Sequence, residues 1–149
     1  MQAKLTEEDV DDIKENIQKV DKIWSHIMEI CTVLHRTMPD LASPLIMKTL
    51  TPIYGTLLLD VDEKQDYQLV TALCFLDDCI EYGNDELFNL VNTQAMPKLL
   101  EVVQKRGAKN PDIVQNCIFG MGLIATRISS DQFAAHLESV LSTVQWVYG

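Results

Sequence analysis

Apolar side chains recur at steps of three and four residues along the first part of the chain. The series consists of Val10, Ile13, Ile17, Val20, Trp24, Ile27, Cys31 and Leu34. This spacing places all of them on one side of an α-helix and predicts an amphipathic helix over residues 6–37. Thr6 and Asp9 fit a capping box at its start. The helix should end before Pro39, because the residue preceding a proline disfavours helical backbone.

The same period continues through the rest of the sequence. Further helices are predicted over residues 43–59, 63–82, 84–106, 111–128 and 130–147. No segment shows the alternation of apolar and polar residues that a half-buried strand requires. The pattern therefore predicts an all-α fold.

Prolines, glycines and capping residues set the boundaries of these helices. Ser43 followed by Pro44 predicts the start of the second helix, and Asn110 predicts the cap of the fifth. Gly83 is typical of the position just after a helix and predicts the end of the third. Pro97 predicts a break or bend in the fourth helix, because proline lacks the N–H that the helix interior uses.

A weak internal repeat underlies this succession of helices. The aligned positions are Leu69 with Ile113, Leu73 with Cys117, Phe75 with Phe119, and Ile80 with Ile124, at an offset of 44. That period falls in the range of HEAT and armadillo repeats. Because a single helical hairpin cannot bury its apolar face alone, we expect about three to four antiparallel helix pairs to stack into a solenoid. Residues 1–149 are then expected to form one segment of a longer array.

Composition and charge limit the kinds of partner that the protein can bind. The chain has 149 residues, of which 47% are hydrophobic, and a net charge of −10. That composition is globular, and the acidic balance disfavours direct binding to nucleic acid or anionic lipid. A basic protein partner is favoured instead. The acidic run over residues 7–15 is interpreted either as a solvated helix start that complements the macrodipole or as a contact for a basic ligand.

The cysteines, the N-terminal residues and the lengths of the apolar runs all favour a soluble intracellular protein. The four cysteines, Cys31, Cys74, Cys79 and Cys117, form no C-x-x-C pair and lie among apolar residues, which predicts buried free thiols. The first residues lack the apolar core of a signal peptide, and no apolar run is long enough for a membrane helix. We expect a soluble intracellular protein without membrane insertion.

Motifs for catalysis, cofactors or metals are weak. Gly120, Gly122 and Ala125 satisfy a G-x-G-x-x-A dinucleotide pattern, but Pro111 starts a helix before the glycines, where a nucleotide loop would need a strand. We interpret both glycines as sites of close helix packing. We expect no catalytic site, cofactor or metal.

Three carboxylates on the third predicted helix are the candidate binding residues. Asp77 and Glu81 lie four residues apart and so share a helix face, beside Asp78. They form either a solvated face or a patch for the Lys and Arg side chains of a partner, and an acid–base pair is a third reading. Asn116, equivalent to Ala72 in the repeat, either links adjacent helices or presents its amide to a ligand. Both tryptophans, Trp24 and Trp146, are expected to pack in the core or between repeats.

Two segments carry a resemblance to a known family. Residues 72–82 (ALCFLDDCIEY) and 116–125 (NCIFGMGLIA) resemble the inner helices of successive HEAT repeats in importin-beta nuclear transport receptors, closest to the importin-five branch. The shared features are an apolar run followed by Asp-Asp and Glu, and then a Gly-apolar-Gly-x-x-Ala run. The likeness extends over most of the chain.

The resemblance implies nuclear import of basic cargo proteins by a receptor that shuttles between cytoplasm and nucleus. It further implies regulation by the Ran GTPase and contacts to Phe-Gly nucleoporins, both through the longer receptor. The alternative is a structural HEAT scaffold subunit of a phosphatase or another assembly, which obeys the same repeat physics. A third class, a small helical enzyme that uses Asp77 and Glu81, predicts a deep pocket with perturbed carboxylates.

Overall fold

A computed structural model describes residues 6–52 and 66–148, and within these ranges the regular structure is helical, with no strand. The helices are α1 (Glu7–Thr37), α2 (Pro39–Thr49), α3 (Asp66–Tyr82), α4 (Asp85–Arg106), α5 (Pro111–Arg127) and α6 (Ser130–Tyr148), with a 3₁₀ turn at Gly107–Lys109. The all-α prediction is confirmed.

Local capping signals explain several boundaries. The Thr6 hydroxyl accepts a hydrogen bond from the Asp9 amide at 3.2 Å, and the Asp9 carboxylate accepts one from the Thr6 amide at 2.8 Å, which confirms the capping box. The Asn110 side chain accepts from the Asp112 amide at 3.0 Å and caps α5 as predicted. These bonds satisfy amides that have no partner inside their helices.

The start of α2 differs from the prediction. The helix begins at Pro39, four residues before the predicted start at Ser43, and Pro44 lies inside it. Ser43 is buried, and its hydroxyl accepts a hydrogen bond from the Asn84 amide at 3.0 Å. This serine therefore joins α2 to the start of α4. Residues 53–59 of the predicted second helix lie outside the described residues.

This buried link gives a stability prediction. Replacing Ser43 by Ala leaves the Asn84 amide without its acceptor, and we expect a loss of about 1–2 kcal/mol in the free energy of unfolding. Urea unfolding followed by circular dichroism measures the effect. A change below about 0.5 kcal/mol, which is typical of surface substitutions, would show that water replaces the serine.

Helix α4 extends from Asp85 to Arg106, close to the predicted range of 84–106, and it continues through Pro97, so the prediction of a break there is wrong. Ala95, Met96 and Leu99, which flank the proline, are all buried. Burial of these side chains offsets the missing backbone hydrogen bond, so tertiary packing overrides the local tendency of proline to end a helix.

The helices pack as successive pairs. Each of α1, α3 and α5 contacts the helix that follows it in the chain, while α1 packs on α3, α3 on α5, α2 on α4 and α4 on α6. Most of the aligned repeat positions are buried at both copies: Leu69 and Ile113, Leu73 and Cys117, and Ile80 and Ile124. Phe75 is buried, whereas its counterpart Phe119 is exposed. The repeat is therefore visible in the core that α3 and α5 contribute.

Candidate functional site

Asp77 lies in the interior, between α3 and α5. Only 4% of its surface is exposed, and neither carboxylate oxygen has a hydrogen-bond partner among the described residues. Burial, together with the negative charges of Asp78 and Glu81, raises the pKa of Asp77 to about 8. A carboxyl group in this position is largely protonated at neutral pH and is not accessible to a partner protein.

Asp78 faces the other neighbouring helix. It is half-buried and accepts a hydrogen bond from the hydroxyl of Thr32 on α1. Burial raises the pKa of Asp78, while the Thr32 hydrogen bond and the charge of Arg36 act against that shift. Asp78 therefore links α1 to α3.

Glu81 is exposed, so the three candidate carboxylates have three different surroundings. The expectation that Asp77, Asp78 and Glu81 form one surface for a basic partner does not hold for Asp77, because α5 covers it. The acid–base pairing of Asp77 with Glu81 lacks the shared pocket it requires, since one carboxylate is buried and the other is in solvent. Only Glu81 remains fully accessible to a partner.

The two glycines of the G-x-G motif also differ in burial. Gly120 is buried, and a Cβ atom built on it would collide with an Asp77 carboxylate oxygen and lie 3.1 Å from Leu99 Cδ1. The expectation of close packing is confirmed for Gly120. It is wrong for Gly122, which is exposed and has no atom within 4 Å of its built Cβ.

These glycines form a matched pair for mutagenesis. We expect Gly122→Ala to stabilise the protein by about 0.5–1 kcal/mol, because alanine favours the helix and meets no neighbour. Gly120→Ala should destabilise it by about 1–3 kcal/mol through overpacking against Asp77 and Leu99. Combining Gly120→Ala with Asp77→Ala should recover part of the loss. Chemical unfolding of the wild type, Gly120→Ala, Asp77→Ala and the double variant gives the coupling energy. Equal effects of Gly120→Ala and Gly122→Ala would contradict the packing.

Asn116 lies half-buried between α3 and α5. Its amide nitrogen donates to the Asp112 carbonyl at 2.8 Å, and its amide oxygen accepts from the Cys74 thiol at 3.3 Å. The structure therefore shows the inter-helix link that the sequence analysis raised as one of two roles, with both ends of the amide engaged.

The thiols match the prediction. Cys31, Cys79 and Cys117 are buried and Cys74 is half-buried, and all four are free. Burial raises the pKa of Cys74 to about 11, and a thiol of this kind is mainly protonated and weakly nucleophilic near neutral pH.

Arg127 is a structural residue that the sequence analysis missed. Its guanidinium donates to the Ile80 carbonyl at 2.6 Å and the Gly83 carbonyl at 3.0 Å, and it contacts the Asp85 carboxylate at 3.1 Å. The same group lies 4.2 Å from the centre of the Phe88 ring. Arg127 thus holds the end of α3, the start of α4 and the end of α5 together. Its position near the end of a helix is a weak sequence signal, because many helices end with a basic residue.

A groove between α4 and α6 is a candidate surface for a partner. It has a volume of about 540 Å³, and its lining residues are Gln104, Glu138, Ser139, Ser142, Thr143 and Trp146. The Trp146 side chain is 53% exposed, against the expectation that both tryptophans pack inside; Trp24 does pack against the core. A groove whose lining includes an exposed indole, a carboxylate and hydroxyl groups suits the Lys and Arg side chains of a basic segment, through cation–π contact and charge.

A second groove runs along the first half of α1. It has a volume of about 300 Å³ and is lined by Ile13, Asn16, Ile17, Val20 and Tyr67. The apolar stripe that the sequence places on one side of α1 is therefore divided. Its second half, around Trp24 and Ile27, packs against the core, and its first half is exposed.

Within residues 6–52 and 66–148, no group of three His, Cys, Asp or Glu side chains is arranged to hold a metal ion. No helix in those ranges has the length and apolar character needed to cross a bilayer. Comparisons of the chain with protein-family models, with curated proteins and with solved structures found no match.

Proposed function

We propose that this chain is a protein-binding segment of a HEAT-repeat nuclear transport receptor of the importin-beta type, and that the α4–α6 groove binds a basic segment of a cargo protein. The observation that carries the binding proposal is the exposed Trp146 indole in a groove that Glu138 also lines. In the longer receptor, Ran in its GTP state would release the cargo. Phe-Gly nucleoporins would guide the receptor between cytoplasm and nucleus.

The stacking of helix pairs supports the HEAT assignment. Successive pairs contact one another through equivalent helices, and the aligned positions of α3 and α5 fill the same core. The two motifs behind the family resemblance also contact each other, since Asp77 of the Asp-Asp motif lies over Gly120 of the Gly-Met-Gly motif. A shared contact gives the two motifs a common structural reason to occur in one chain.

The chemistry of the groove supports a basic ligand. Trp146 is the aromatic partner of a cation, Glu138 supplies charge, and Ser142 supplies a hydroxyl for the backbone or side chain of a peptide. The chain as a whole has a net charge of −10, which raises the local concentration of basic segments near the surface. Aromatic residues are also common among the few that contribute most to protein–protein binding.

Fluorescence anisotropy of a labelled Lys-rich import peptide tests this proposal, at low salt and at about 0.15 M salt, where exposed charges are partly screened. We expect Trp146→Ala to weaken binding by about tenfold and Glu138→Gln by about three- to tenfold. Glu86→Gln, which removes an exposed acid from the opposite end of α4, is the control and should bind as the wild type does.

The outcomes distinguish a specific binding site in the groove from nonspecific electrostatic attraction. Loss of affinity in the groove variants, with unchanged circular dichroism and with the control intact, supports the groove. Equal binding by all variants that disappears at the higher salt indicates nonspecific attraction to an acidic protein and contradicts a site in this groove.

A structural scaffold subunit is the second candidate function. The exposed first half of the α1 stripe, with Ile13, Ile17 and Val20, favours it, because an apolar helix face of this kind suits helix-on-helix assembly. A scaffold of this class needs no basic peptide. Peptide binding that depends on Trp146 would therefore favour the receptor over the scaffold.

A further inference from the structure

The contact between α3 and α5 is the most extensive helix–helix contact in the described part of the chain, and it encloses an ionisable group. Asp77 lies in this contact over Gly120, with both carboxylate oxygens unpartnered among the described residues. A buried charge without a partner is costly, whereas a neutral carboxylic acid tolerates an apolar site much better. The packing seen here therefore requires the protonated form of Asp77.

The groups around Asp77 offer no compensation for a negative charge. On α3 itself the ionisable neighbours are Asp78, Glu81 and the Cys74 thiol, none of which carries a positive charge. From α5 the neighbours are Gly120 and the Cys117 thiol, and from α4 the Leu99 side chain reaches the same place. On α1, Thr32 and Arg36 act on Asp78. Ionisation of Asp77 thus adds a negative charge that no neighbouring group compensates, because the Thr32 hydrogen bond and the Arg36 charge act on Asp78.

The internal repeat shows that packing alone does not call for an acid at this position. At the offset of 44, the residue in α5 equivalent to Asp77 is Met121, which is buried. A methionine fills such a site at any pH. The aspartate makes the same position sensitive to protons.

We propose that Asp77 is a proton-dependent latch between α3 and α5: the neutral acid packs against Gly120, and loss of the proton draws the carboxylate toward water and loosens this joint. Helices α3 and α5 belong to successive helix pairs, so the latch controls how firmly one pair is held against the next. The pKa of about 8 for Asp77 lies close enough to neutral pH for modest changes in pH to alter its charge.

NMR titration of the full chain from about pH 5 to about pH 9.5 tests the latch, since an unperturbed aspartate titrates near 3.9. The measured signals are the ¹³C shift of the Asp77 carboxyl group and the amide shifts of Gly120 and Gly122. We expect the Asp77 carboxyl to titrate with a midpoint near 8, and the Gly120 amide to move with the same midpoint. The Gly122 amide, at an exposed position, should not follow it.

Two variants complete the design. In Asp77→Asn, which mimics the neutral acid, the Gly120 amide should stay fixed over the range. Asp131→Asn, an exposed acid at the start of α6, should leave the Gly120 titration unchanged. A midpoint for Asp77 below about pH 6, or a Gly120 amide that stays fixed while Asp77 titrates, would overturn the proposal.

Discussion

Asp77→Asn is expected to increase the free energy of unfolding at pH 8 by about 5 kcal/mol relative to the wild type. The reason is that the wild-type protein must either hold a proton on Asp77 or bury an unpartnered charge, whereas asparagine is neutral at every pH. Neutral aspartic acid and asparagine both leave buried polar atoms without hydrogen-bond partners at this position. The free-energy cost of those unpaired atoms therefore largely cancels between the two proteins.

The sign of the pH dependence follows from the direction of the shift. The pKa of Asp77 is raised in the folded protein, from 3.8 to about 8, so the folded state holds a proton that the unfolded state releases. The stability that this proton provides is fully present below about pH 4 and is lost as the pH rises toward 8. The advantage of Asp77→Asn should therefore be near zero at pH 4, grow by about 1.4 kcal/mol per pH unit, and level off above pH 8.

Urea unfolding of both proteins at several pH values measures this difference, and other titrating groups cancel because they occur in both. Asp131→Asn serves as the control, because an exposed acid should change stability by less than about 0.5 kcal/mol at each pH. A difference between wild type and Asp77→Asn that is constant from pH 5 to pH 8 would refute a raised pKa at this site.

The sequence predicts the helices well because their apolar period is long and regular. The spacing from Val10 to Leu34 predicts α1 almost to the residue, and the repeat predicts most of the buried positions that α3 and α5 share, with Phe119 as the exception. The prediction that Ser43 caps the second helix was wrong, because its hydroxyl accepts a hydrogen bond from the Asn84 amide, which is 41 residues away in sequence. No local pattern contains a partner at that distance.

The candidate site was harder to predict than the fold, and the reason is geometric. Helical spacing correctly places Asp77 and Glu81 near the same face of α3, but it does not indicate where the neighbouring α5 stops covering that face. The result is one buried and one exposed carboxylate. The same limit applies to Trp146, whose residue type favours burial, whereas its side chain is exposed in the groove between α4 and α6.

Arg127→Ala is expected to lower the free energy of unfolding by about 3 kcal/mol, because the two carbonyls at the end of α3 lose a charged donor. The Ile80 and Gly83 carbonyls accept from a single guanidinium nitrogen, whose side chain is only 22% exposed. The Phe88 ring also loses the cation that covers it, a contact worth about 1 kcal/mol at a partly buried site.

The ion pair with Asp85 contributes little to this effect. The Asp85 side chain is 97% exposed, and exposed ion pairs are worth about 0–1 kcal/mol. Asp85→Ala is therefore the matched control, with an expected loss below about 1 kcal/mol, and Arg127→Lys should fall between the two because an ammonium lacks the guanidinium fork. Denaturant unfolding at constant salt ranks the three variants. If Asp85→Ala is as damaging as Arg127→Ala, the surface ion pair, and not the bonds to the α3 carbonyls, holds this corner of the fold.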